Sequence, residues 1–96
     1  MTDTKKDVYV EKIKAKLDEW SAEIDRLDAK SRQQQADAKQ AYLEQINELK
    51  RKRASAQVRL QKLQNAGAAA WEDLKVGVEE AIKAVGEALQ SARSRF

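Results

Sequence analysis

Apolar side chains at Tyr9, Ile13, Leu17, Trp20, Ile24 and Leu27 follow one another at steps of four, four, three, four and three. That alternation draws one stripe along a helix at the spacing of an a/d seam, and a strand with its period of two cannot satisfy it. No Pro interrupts the chain, which is rich in Ala, Leu, Lys, Arg, Gln and Glu, the strongest helix formers. Hydrophobic residues make up 42% of the 96, but only 5% are aromatic and 36% are charged. Such a chain has apolar surface for a seam between helices and not for a wide interior. The expected fold is all-α, an elongated coiled coil with one long helix and a shorter C-terminal helix.

Thr4 followed by Asp7 matches the start signal of a helix, and residues 1–66 read as one long coiled-coil helix from there. The stretch DAKSRQQQADAKQA, residues 28–41, has no large apolar side chain, yet neither Gly nor Pro breaks it. It reads as a weak polar segment of a continuous helix, with a local hinge or hydrated cavity as the alternative. The stripe resumes out of phase at Tyr42, Ile46, Leu49, Arg53, Ala56, Leu60 and Leu63, a stutter that locally unwinds a supercoil. Arg53 falls on the seam and must snorkel or find an acid. Residues 67–96 form a second amphipathic helix with Trp71, Leu74, Val78, Ile82, Val85, Leu89 and Phe96 on one side.

Whether the chain turns between these segments depends on LQNAGAAAWEDL, residues 63–74. Gly67 suits a left-handed helix end, whereas Ala68–Ala70 supply no side-chain cap for a new helix. Complementarity favours an antiparallel hairpin turning near residue 66 over a rod of roughly 135 Å. In that register Trp71 meets Leu60 and Leu63, Ile82 meets Leu49, Val85 nears Ile46, and Leu89 nears Tyr42 and Leu43. Glu79 and Glu80 then face Arg53 and Lys52, so apolar and charge matches agree.

The hairpin leaves residues 8–30 without a partner. An exposed stripe of Ile13, Leu17, Trp20, Ile24 and Leu27 implies a homo-oligomer or a partner helix. A membrane surface is a less favoured partner, because the polar face of residues 65–96 carries five acids and four bases. The basic run at 50–53, with Arg59 and Lys62 beyond it, raises nucleic acid as a weak third option, but no aromatic lies inside it to stack bases.

His and Cys are absent. Zinc sites and Ser–His or Cys–His nucleophile systems therefore cannot be built, and glycines at 67, 77 and 86 do not form a phosphate loop. Adjacent carboxylates such as Asp18/Glu19 and Glu79/Glu80 diverge by about 100° on a helix and do not converge on one site. The expectation is a non-enzymatic protein without catalytic residue, metal or cofactor. The lack of Cys suits a reducing compartment, and no secretory leader or membrane span is evident, so the expected location is cytoplasmic.

The opening VYVEKIKAKLDEWSAEIDRLDAK and the later AAAWEDLKVGVEEAIKAVGEAL together resemble a group of small bacterial coiled-coil proteins of this length. They share a Y-x-E-K-hydrophobic-x-x-x-L-x-x-W start and an A-W-E-D-L-K-x-G-V-E-x-A block. The resemblance implies a cytoplasmic protein, sometimes linked with stress responses, that has no assigned catalytic residue. The C-terminal block also resembles the amphipathic repeats of apolipoprotein-like helices. The combined expectation is an oligomeric structural or interaction protein, with lipid binding through the C-terminal helix as the alternative.

Overall fold

Three helices account for most of residues 4–95, which the computed structural model describes: α1 (Thr4–Ser31), α2 (Ala36–Gln64) and α3 (Trp71–Arg93). The fold is all-α, and α2 and α3 form the antiparallel hairpin. The long helix expected over residues 1–66 is instead two helices. α1 folds back along α2, placing Asp28 at Lys50 and Asp25 at Arg53. It runs parallel to α3, with Glu23 at Arg93 and Trp20 against Gly86. The bundle measures 55 × 18 × 18 Å. Phe96 and the side chain of Thr4, both invoked above, lie outside the described residues.

The first turn occupies Arg32–Gln35. The N–H groups of Gln33 and Gln34 donate to the carbonyls of Lys30 and Ser31, a tightening of the last turn of α1. Gln35 is extended at φ −66°, ψ 157° and gives α2 no side-chain cap. The break falls inside the segment that lacks large apolar residues, so ending the helix there forfeits no seam contact. What it gains is burial of the α1 stripe against the chain's own hairpin.

The second turn, Asn65–Ala70, departs from the expected geometry. None of the three glycines has a positive φ, so Gly67 is not a left-handed cap. The carbonyls of Gln64 and Ala66 instead accept the Lys6 ammonium at 3.1 and 2.5 Å, a cation at a helix C-terminus where the dipole favours it. Glu72 and Asp73 occupy the first turn of α3, where acids are favoured for the converse reason.

The hairpin register is displaced from the expected one by one to two turns. The Arg59 guanidinium lies against Gly77, and Arg95 donates to Gln45. Ile46 and Leu49 share a cluster with Leu89 and Ala92, while Ile82 and Val85 pack with Ala56, Leu60 and Leu63. The cause is the length of the turn. Six residues separate the helices, so the pivot sits near Gly67–Ala68 and every pairing on α3 slides toward the C-terminus.

The core divides into two clusters. One combines Val10 and Leu17 with residues of α2 and α3 and is edged by Tyr9, Ile13, Trp71 and Leu74. The other joins Ile24 and Leu27 to Ile46, Leu49, Leu89 and Ala92. Trp20 packs against both.

Candidate interaction surface

α1 is the element whose position sequence reasoning missed, and its seat is the most chemically detailed surface in the bundle. Leu17, Ile24 and Leu27 of the expected interface stripe are buried at 3%, 0% and 6% exposure. Ile13 and Trp20 are half-buried at the edge. The stripe thus meets α2 and α3 of its own chain, and the unpartnered face that argued for self-association does not exist in this conformation.

Charged contacts fasten the seat along its length. Asp28 accepts from Lys50 Nζ at 3.0 Å and lies 3.3 Å from Arg32 Nε. Arg53 Nη1 reaches Asp25 Oδ1 at 3.4 Å. Arg93 grips Glu23 through two nitrogens, the bidentate geometry that gives Arg its specificity for carboxylates. The hydrogen bond from Lys50 holds the Asp28 carboxyl below its usual range, with the Lys50 and Arg32 charges adding to it. The hydrogen bond from Arg93 does the same for Glu23.

At the other end, Tyr9 and Trp71 meet edge to face with ring centroids 6.0 Å apart. Lys75 Nζ lies over both rings, 5.0 Å from Tyr9 and 5.2 Å from Trp71. The Tyr9 hydroxyl points to Glu79 Oε1 at 3.5 Å. Burial first, then the Glu79 charge, pushes the phenol up to about 12, so Tyr9 stays a donor at neutral pH.

The charge pairs expected within the hairpin are absent. Arg53 pairs with Asp25 of α1, Glu79 faces Tyr9, and no ion pair of Lys52 or Glu80 occurs among the described residues. The reason is that α1 occupies the flank of α2 that a two-helix hairpin would leave open. Of the basic run, Lys50, Arg51 and Arg53 each hold a carboxylate, those of Asp28, Glu48 and Asp25. A signal for this arrangement was present in the sequence. Asp25 and Asp28 are spaced three apart on α1, and Lys50 and Arg53 three apart on α2, which is the mirrored pattern of an antiparallel pair.

Of the expected hairpin residues, Ile46, Leu49, Leu60, Leu63, Val78, Ile82, Val85 and Leu89 are buried, while Tyr42, Trp71 and Leu74 are half-buried. The apolar face of α3 is therefore occupied inside the bundle. Between α1 and α3 a groove of about 500 Å³ remains, floored by Ile13, Trp20, Ile82 and Gly86. Lys16 Nζ stands 5.5 Å from the centre of the Trp20 ring at its rim. No described helix is long and apolar enough to cross a membrane. The chain matches no family model, no curated protein and no solved structure.

Proposed function

We propose that the protein is a non-enzymatic helical interaction module whose working part is α1, an arm seated on the α2–α3 hairpin and able to leave it for a helical partner. The observation that carries this reading is the chemistry of the seat. The polar contacts of α1 run to both neighbouring helices: Asp28 and Asp25 to α2, Glu23 and Tyr9 to α3, Lys6 to the end of α2. Between α2 and α3 the two apolar clusters carry the packing, and Arg95 donates to Gln45 at 3.3 Å at its open end.

Exposed ion pairs contribute only about 0–1 kcal/mol each, so these pairs set register and partner choice more than they hold the arm. Burial of Val10, Leu17, Ile24 and Leu27 holds it, at roughly 1.5–3 kcal/mol per side chain as an upper estimate. Release is therefore rare unless the partner offers an equivalent apolar seat. A cytoplasmic setting and a structural role, as the bacterial coiled-coil resemblance implies, belong to the same reading. A lipid surface ranks lower, since Val78, Val85, Leu89 and Ala92 would have to leave a buried face. Nucleic acid ranks lower still, because carboxylates already hold three cations of the basic run.

Acid tests this reading. Asp28 and Glu23 have folded-state pKa values below their unfolded ones. Their contribution to stability is fully present above the ordinary carboxylate range, about pH 4, and disappears as pH falls through the depressed values. Amide protection factors, corrected for intrinsic exchange, are expected to fall first across α1 as the pH drops from 7 toward about 3. The cores of α2 and α3 should keep theirs. Loss of protection in all three helices together would show that α1 is not a separable arm.

A further inference from the structure

A released α1 carries Leu17, Ile24 and Leu27 into water unless another surface with the same seats accepts it. The turn that lets α1 fold back is weakly specified by its own residues. Arg32, Gln33, Gln34 and Gln35 are all good helix formers, and neither Gly nor Pro lies in residues 28–41. Gln35 supplies no side-chain cap to α2, so the first N–H groups of that helix lack the acceptor that Ser, Thr, Asp or Asn would provide. Straightening the turn would continue the i→i−4 ladder through residues 32–35. α1 and α2 would become a single helix of about 60 residues, roughly 90 Å long. In that state α1 points away from its own hairpin, and the empty seat that matches it side chain for side chain belongs to another copy of the chain.

We propose that the protein forms a domain-swapped dimer in which Arg32–Gln35 become helical and α1 of each copy occupies the α2–α3 seat of the other. This rests on the reading of α1 as a releasable arm and names a second copy as its partner. The contacts of the seat are kept across the exchange: Asp28 with Lys50, Asp25 with Arg53, Glu23 with Arg93, and Lys6 with the carbonyls that end α2. The apolar burial of Ile24 and Leu17 is likewise unchanged. The dimer differs from the monomer in gaining backbone hydrogen bonds at two hinges and in losing the freedom of one chain.

Ala36→Pro separates the two states. Ala36 is the first residue of α2, a position where Pro is accepted, and Gln35 before it already has the extended backbone that a following Pro requires. In a continuous helix the same Pro is interior and breaks the ladder. Gln33→Ala, Gln34→Ala and Gln35→Ala together push the other way by favouring helix at the hinge. The chain has no Cys, so spin labels at Ala22→Cys and Ala54→Cys, both exposed, report the hinge directly. These positions flank the Asp25–Arg53 pair and lie within about 20 Å when the hinge is bent, against about 48 Å in a continuous helix. The labelled chain is diluted into unlabelled protein so that only distances within one chain are read.

The experiment measures mass by light scattering from micromolar to millimolar protein, after incubation at low pH and return to neutral, alongside the label distance. The expected result is a doubling of mass in the wild type, with the long label distance confined to the dimer. The triple Ala variant is expected to dimerise at about tenfold lower concentration, in line with a few tenths of a kcal/mol per hinge residue. Ala36→Pro should keep native helicity and remain at the mass of one chain. A dimer with the short label distance, or equal dimerisation of Ala36→Pro and wild type, would overturn the swap. A chain that stays single at every concentration while α1 still loses protection first would overturn the swap alone and leave the releasable arm standing. Loss of protection in all helices together would remove both.

Discussion

Ile24→Ala is expected to cost about 2–5 kcal/mol of folding stability. Ile24 has no exposure and sits where α1 meets Ile46 and Leu49 of α2 and Leu89 of α3. Removing its side chain leaves a gap that three helices must close at once, and closing it would pull the Glu23–Arg93 and Asp28–Lys50 pairs on either side out of place. Domains of this kind have only about 5–15 kcal/mol of stability in all, so the loss should be visible as a large drop in the urea midpoint at constant slope. Were Ile24 instead the interface of an oligomer built from straight helices, the same change would lower the mass and leave the dilute chain unaffected. An unchanged urea midpoint in dilute protein would therefore argue against the bundle.

Trp20→Ala is expected to cost about 3 kcal/mol, the low end of the range for large aromatic truncations because the ring is only half-buried. Its position makes the effect more than local. Trp20 belongs to the edge of both apolar clusters, and its ring lies so close to Gly86 that a Cβ there would sit 3.0 Å from the nearest ring carbon. The ring thus fills the space that a side chain at position 86 would occupy and ties the two halves of the core together. Along with the lower midpoint, a shallower urea slope is expected, as the halves begin to melt separately. A loss below about 1 kcal/mol with an unchanged slope would show that Trp20 is a rim residue with no coupling role.

Much of this was legible in the residues, and the parts that were not share a cause. The apolar faces of α2 and α3 follow from helical periodicity, because Ile46, Leu49, Leu60 and Leu63 on one helix, and Val78, Ile82, Val85 and Leu89 on the other, repeat at three and four. The antiparallel turn near Gly67 follows from matching those faces. The bend at residues 32–35 falls in the segment where a hinge is only the alternative reading of the sequence, because no residue there opposes a helix; it reflects what α1 gains by packing on a hairpin far away in sequence. A hairpin without α1 sets Arg53 and Lys52 opposite Glu79 and Glu80, whereas with α1 in the bundle Arg53 pairs with Asp25. The register error has a smaller origin in the turn, whose helices end without a left-handed Gly and whose last carbonyls are held by Lys6. A cap supplied from a residue some sixty positions away leaves no mark near the turn itself.

Small-angle scattering on the unmodified chain, at a dilution where its mass is the 10.9 kDa of one copy, tests the fold-back of α1 most directly. The expected particle has a longest dimension close to 55 Å and a radius of gyration near the 15.6 Å of the backbone. A single chain with a longest dimension of roughly 90 Å or more, the length of α1 and α2 joined without a bend, would contradict it.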